Sequence, residues 1–229
     1  PGMRSGDRIA VMMPNTLQSP VALFAILRAG FVAVNVNPQY TVPELTHQLV
    51  DSGARVIVVL ENFAHTVAAA LAQTPLEHVV VTELGDHCSP LKRLVINFVV
   101  KHVKRLVRPW RIPGVVAYRA ALARGATLTY SSPGTKGSDL AFLQYTCGTT
   151  GRAKGAMLTH RNMVANSLQA AAWARPFFTA GAGTALTPLP LYHVYSLTAN
   201  LFCFVELGGH NWLVTDPRDM KAFVALLRK

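Results

Sequence analysis

The chemistry in this 229-residue sequence is densest in nine residues, Cys147-Gly-Thr-Thr-Gly-Arg-Ala-Lys-Gly155, which hold three glycines, two threonines and a lysine. Glycine lets backbone N–H groups approach a phosphate closely, threonine hydroxyls donate to its oxygens, and lysine adds a mobile positive charge. Those are the parts of a phosphate cradle. The spacing is neither Gly-x-x-x-x-Gly-Lys-[Ser/Thr], since Gly155 follows Lys154, nor Gly-x-Gly-x-x-Gly. On composition alone a flexible surface turn remains the alternative, because Gly/Ser/Thr loops are common. Cys147 reads as a small residue rather than a thiol nucleophile, since no partner base is identifiable nearby.

A cradle needs a rigid frame, and the flanking sequence predicts one. Ala141 to Thr146 is a strand-like run that leads into the loop. Upstream, short β-branched runs alternate with amphipathic segments: strand at Ile9–Met13, turn at Pro14-Asn15, helix over Leu17–Arg28 stopped by Gly30, and strand at Phe31–Val36. Thr41-Val-Pro-Glu44 has the form of a capping box opening a helix to Asp51 that ends at Gly53. Strand at Arg55–Leu60, helix at Phe63–Ala72 and strand at His78–Thr82 continue the rhythm. The pattern predicts an α/β fold with parallel sheets covered by helices.

Composition agrees with a packed domain: hydrophobic residues make up 51% and charged residues 14%, which excludes disorder. Cys88, Cys147 and Cys203 have no ligand spacing, and a reducing cytosol suits them. No stretch is long and apolar enough for a transmembrane helix. The sequence runs from Pro1 to Lys229, where it stops inside a helix-like pattern, and it reads as a fragment.

Net charge is +11, and between His87 and Val205 the only acid is Asp139. Seven bases fall between Lys92 and Arg111, with Lys101, Lys104, Arg105 and Arg108 at helical spacing. Val95, Val99, Val103, Leu106 and Trp110 can form the apolar face of that helix, with Phe98 and Trp110 as interfacial anchors. This predicts reversible contact with an anionic membrane; a core-packed helix with a solvated basic face is one alternative and a nucleic-acid stripe another. No nucleic-acid module is visible.

Tyr145-Thr-Cys-Gly-Thr-Thr-Gly-Arg-Ala-Lys-Gly-Ala-Met-Leu-Thr-His-Arg-Asn162 resembles the phosphate-loop signature of the AMP-forming acyl-CoA synthetase, adenylation-domain and luciferase superfamily. Pro188-Leu-Pro-Leu-Tyr-His193 is similar to its second core motif, and Met13-Pro-Asn15, Leu27-Arg-Ala-Gly30, Asn35-Val-Asn-Pro38, Phe204–Gly209 and Asp216–Asp219 fit the same pattern. Within the superfamily the likeness is greatest to bacterial long-chain fatty-acyl-CoA synthetases. Ala153 and Cys147 stand where many members have Pro and Ser or Gly; neither change removes a phosphate donor.

The resemblance implies that residues 1–229 are an incomplete N-terminal AMP-binding domain of the adenylate-forming fold, without its C-terminal domain. It implies that a fatty carboxylate attacks the α-phosphate of Mg-ATP, releasing pyrophosphate, and that the CoA thiol then displaces AMP. Tyr145, Thr146, Cys147, Gly148, Thr149, Thr150, Gly151, Lys154 and Gly155 would bind ATP, with Lys154 stabilising charge on the leaving pyrophosphate. His193 would lie beside the substrate carboxylate and orient it or gate the acyl channel, although a lone histidine in an apolar run is more often a packed or capping residue. Tyr195 to Val205 would be a buried helix near the acyl pocket, as ordinary core packing would also explain. With no acid between Asp139 and Glu206, the Mg²⁺ ligands are expected outside this chain. The implied setting is cytoplasmic, peripheral on the inner face of the cell membrane. An adenylating enzyme for another carboxylic acid, or a non-catalytic membrane-associated relative, are the other readings.

Overall fold

A computed structural model describes residues 2–146, 153–179 and 181–228. The first half is the expected alternation: β1 (Arg8–Met12), α1 (Gln18–Arg28), β2 (Val32–Asn35), α2 (Val42–Ser52), β3 (Val56–Leu60), α3 (Ala64–Ala70) and β4 (His78–Thr82). Then follow α4 (Pro90–Phe98), β5 (Val116–Ala117), α5 (Tyr118–Gly125), β6 (Leu140–Thr146), β7 (Lys154–Thr159) and α6 (His160–Ala174). The strands form one sheet of order β5-β4-β3-β1-β2-β6-β7. All its pairings are parallel except β6 with β7.

Near-continuous aliphatic strands such as Val56-Ile-Val-Val-Leu60 suit a sheet covered on both faces. Alternate residues divide accordingly. Ala10, Met12, Ile57 and Val59 face a core with Leu45 and Leu49 of α2 and Val67 of α3. Val11, Val58 and Phe142 face the other core, with Leu23 of α1, Tyr118 of α5 and Met163 of α6. The chain moves from β1 to β2 in one direction and then crosses back to β3 on the other side of β1. β1 and β3 therefore flank the switch point, outside whose carboxyl ends open α/β sheets form crevices.

The caps follow the predicted chemistry. The Glu44 carboxylate accepts from the backbone N–H and the hydroxyl of Thr41, and these bonds hold its pKa below the ordinary glutamate value. Gly53 ends α2 at φ +65°, a left-handed position that glycine fills without steric penalty.

The last third builds a separate two-stranded parallel sheet of β8 (Thr184–Thr187) and β9 (His210–Leu213). Between them α7 (Val194–Ser196) runs through a wider, π-type stretch at Leu197–Phe202 into α8 (Cys203–Glu206). Leu197, Leu201, Cys203 and Phe204 are buried there, whereas Tyr195 and Val205 are exposed. α9 (Met220–Leu227) follows, its first turn capped by Asp219.

The basic segment differs from the continuous amphipathic helix expected over Lys92–Arg111. α4 and a π-type extension, Val99–Val103, end at residue 103. Arg105 then takes a φ of +50°, outside the helical region. Trp110 is no interfacial anchor, because it packs half-buried against the core that holds α2 and α3. Of the expected apolar face, Val95, Val103 and Leu106 are exposed, as is Phe98; within α4, Leu91 and Leu94 join Val95 and Phe98 on one exposed helix face. On the opposite side Val100 is buried, Asn97 bridges the Gly85 N–H and the Glu83 carboxylate, and Lys101 pairs with Glu61 at 2.8 Å. Among the described residues no helix is long and apolar enough to cross a membrane.

Candidate functional site

β6 and β7 are the two arms of a hairpin whose connection is the glycine- and threonine-rich loop. Thr146 pairs with Lys154 and Tyr145 with Gly155 across the antiparallel ladder. Thr146 and Lys154 are both exposed, so a residue bearing a hydroxyl and one bearing an ammonium group sit opposite each other where the loop leaves the sheet. Cys147, Gly148, Thr149, Thr150 and Gly151 lie outside the described residues.

The base of the hairpin is braced by one helix. The phenol of Tyr145 donates to Asp51 of α2. Burial first, and then this carboxylate, push the phenol's pKa well above its ordinary value, so the hydroxyl stays protonated as a donor. His47, one turn earlier on α2, reaches the Ala153 carbonyl at 3.2 Å through Nε2. Tyr145 is 9% exposed, and its hydroxyl is committed to α2. Gly155 has a steric reason to be glycine: a Cβ there would lie 3.0 Å from Cε2 and Cζ of the Tyr145 ring, closer than ordinary carbon–carbon contact.

His193 lies in the second motif, at the N-terminus of α7, where its Nδ1 accepts from the Tyr195 N–H at 3.4 Å and its own backbone N–H donates to the Pro190 carbonyl. The residue is exposed, so capping leaves one imidazole edge free for a ligand. The two motifs are joined directly. Gln144, two residues before Thr146, donates through Nε2 to the Tyr192 carbonyl at 2.8 Å. It accepts from Asn35 at 3.1 Å, while Gln48 of α2 donates to the Asn35 carbonyl.

Sequence reasoning did not single out Gln144, Gln48, His47 or Asp51 as site residues, and it named Asn35 only within the Asn35-Val-Asn-Pro38 resemblance. A visible signal was the amide in each of the apolar strands Val32-Ala-Val-Asn35 and Ala141-Phe-Leu-Gln144, since an amide buried in a strand needs a specific partner. Asn15, in the turn after β1, is likewise buried and bonded to Leu189 and Leu191 of the second motif. Beside it a crevice of about 520 Å³ opens between Asn15, Gln39, Phe63, Tyr192 and Arg218, at the switch point of the sheet. Among the described residues no three His, Cys, Asp or Glu side chains are grouped to hold a metal ion.

The family pattern described as AMP-binding enzyme matches residues 1–229. The chain belongs to that family. It is 53% identical over 228 residues to the long-chain-fatty-acid--CoA ligase of Salmonella typhimurium, covering 100% of this chain and 41% of that relative. It therefore spans well under half the length of this curated relative. The 32% identity to the long-chain-fatty-acid--CoA ligase of Bacillus subtilis covers 90% of this chain and 37% of that protein. Among solved structures, an anthranilate CoA ligase in complex with anthranoyl-AMP superposes with a TM-score of 0.73 at 20% identity, over 93% of this chain and 36% of that one. That likeness concerns the fold, and it agrees with the α/β architecture of an adenylate-forming N-terminal domain.

Proposed function

We propose that this AMP-binding chain is part of a long-chain fatty acid:CoA ligase, which activates a fatty carboxylate as acyl-AMP and transfers it to CoA. The observation that carries this reading is the phosphate-loop hairpin, with Thr146 and Lys154 paired at its mouth, in a chain 53% identical to a curated enzyme of that name. A bare carboxylate is a poor electrophile; adenylation converts its oxygen into part of a good leaving group. Negative charge grows on the departing pyrophosphate. Lys154, Thr146 and the loop residues Cys147 to Gly151, which include Thr149 and Thr150, supply hydrogen-bond donors and positive charge to meet it. Catalysis of this kind depends chiefly on positioning and electrostatics. His193 orients the carboxylate through the part of its ring not used in capping.

Mg²⁺ would neutralise the polyphosphate when bound; among the described residues no three His, Cys, Asp or Glu side chains are grouped to hold a metal ion. The exposed apolar face of α4, with Lys92, Lys104 and Arg105 near it in the chain, supports peripheral contact with an anionic membrane on the cytoplasmic side. Long-chain fatty acids partition into bilayers, so such contact places the enzyme beside its substrate.

The test is carboxylate-dependent exchange of labelled pyrophosphate into ATP by the complete protein. Exchange driven by palmitate and not by benzoate or amino acids is the expected result. Exchange driven only by an aryl or amino acid would move the assignment to another ligase of the family.

A further inference from the structure

Pro188-Leu-Pro-Leu-Tyr-His193 has a backbone problem that the fold must solve. Its two prolines carry no N–H, so the segment cannot pair as an ordinary strand, yet its buried carbonyls need donors. Asn15 contributes a donor to this segment and another to Thr187 just before it, where the Val214 N–H also donates. The Asn15 side chain, in a residue only 2% exposed, donates through Nδ2 to the carbonyls of Thr187 and Leu189, both at 2.9 Å. Its Oδ1 accepts from the Leu191 N–H at 2.8 Å. One primary amide thus binds three alternate residues, using both of its donor hydrogens. The Asn15 carbonyl also accepts from the Thr215 hydroxyl, and Ser196 donates to the Leu189 carbonyl from the other side.

Two residues past Leu191 is His193, and between them the Tyr192 carbonyl is held by Gln144. Gln144 is 4% exposed and lies on β6, the strand that enters the phosphate loop. Asn15 comes from the turn after β1, in the same sheet. Both ties therefore refer the His193 segment to the frame that carries Thr146 and Lys154.

We infer that Asn15 and Gln144 are positioning residues that fix His193 relative to the strand ends bearing Thr146 and Lys154, acting through the backbone of residues 187–192. Neither touches the reacting atoms. The inference deepens the ligase reading and rests on it for its catalytic consequence, while the clamp itself is a property of the chain.

Asn15→Asp tests the inference with almost no change of shape, because a carboxylate in that place accepts but cannot donate to Thr187 and Leu189. In the complete protein the pyrophosphate-exchange kcat should fall about tenfold or more, as expected for a misplaced orienting group, with KM for ATP nearly unchanged. The deficit relative to wild type should shrink as pH falls, since protonation of the introduced carboxyl group restores one donor to the segment's carbonyls. In a His193→Ala background Asn15→Asp should add almost nothing, because the residue it positions is gone. Gln144→Glu should behave the same way. Equal losses with and without His193, or a loss that follows only the thermal midpoint, would overturn the positioning role.

Deuterium exchange of the Leu191 amide reads the clamp without turnover: slow in wild type and at least about tenfold faster in folded Asn15→Asp. If wild type shows no pyrophosphate exchange with any carboxylate, the ligase reading and the catalytic role fail together, while a protected Leu191 amide still upholds the clamp. Fast exchange of that amide in wild type would refute the clamp whatever the substrate.

Discussion

Lys154 and Gly155 are neighbours with different duties. Lys154 stands exposed at the open end of the β6–β7 hairpin, where its charge can meet a leaving pyrophosphate. Lys154→Ala should lower carboxylate-dependent pyrophosphate exchange by on the order of 10²-fold, the usual effect of deleting one donor to developing charge. Its thermal midpoint should stay near wild type; a normal rate, or loss of the folding transition, would contradict the role. Gly155 lies against the Tyr145 ring, where a Cβ would sit 3.0 Å from Cε2 and Cζ and the ring would have to shift. Gly155→Ala should destabilise the fold by about 1–3 kcal/mol through overpacking, measured by urea denaturation. In a Tyr145→Ala background the penalty should largely vanish, since the obstructing ring is absent. Sequence chemistry points to the loop and to Lys154. It cannot show that the Tyr145 hydroxyl is committed to Asp51, because residues 94 positions apart meet only after the sheet has formed.

α4 is the element where periodicity alone cannot choose the face: Val95 and Phe98 of the expected stripe are exposed, whereas Trp110, beyond the helix, packs half-buried. Aliphatic residues are so frequent between Leu91 and Trp110 that several apolar stripes fit a helix. The choice is made by Asn97, Val100 and Lys101: Val100 is buried, and the partners of the other two, Glu83, Gly85 and Glu61, lie in earlier parts of the chain. The opposite stripe is left to solvent. Leu94→Ser with Phe98→Ser should therefore sharply reduce co-sedimentation with anionic vesicles at low salt without altering net charge. Neutralising Lys92, Lys104 and Arg105 should weaken the same binding by about 1 kcal/mol per residue. A wild-type protein that stays in the supernatant would remove the membrane reading. The anchor itself titrates. Burial, then the Glu61 and Asp86 carboxylates, raise the Glu83 pKa above its ordinary value. Folding then favours the protonated acid, so its contribution to stability is full below the ordinary glutamate pKa and is lost as pH rises through the elevated folded value. Glu83→Gln, which keeps an oxygen for Asn97, should raise the thermal midpoint near neutral pH, and the gain should fade in acid. A gain that is largest at low pH would reverse the sign and refute this role for Glu83.

At the scale of the whole molecule, β1 through β4 are legible in the sequence because each short aliphatic run is bounded by caps or turns, and strands covered on both faces need no long-range information to be recognised. The strand order is not legible, and neither is the small β8–β9 sheet: Thr184–Thr187 and His210–Leu213 carry little hydrophobic signal. β7 is also hidden, since residues 154–159 look in sequence like the tail of a phosphate loop rather than the antiparallel arm that fixes its mouth. What unites the parts is the set of buried amides Asn15, Asn35, Gln48 and Gln144, which ties both sheets and both motifs into one frame. That frame ties the strand bearing Thr146 and the segment bearing His193 to the same buried amides. The most direct measurement is product analysis of the complete protein with palmitate, Mg-ATP and CoA. Palmitoyl-CoA and AMP should appear in equal amounts, with pyrophosphate; ADP with inorganic phosphate, or AMP formed only with a carboxylic acid other than a fatty acid, would contradict the account.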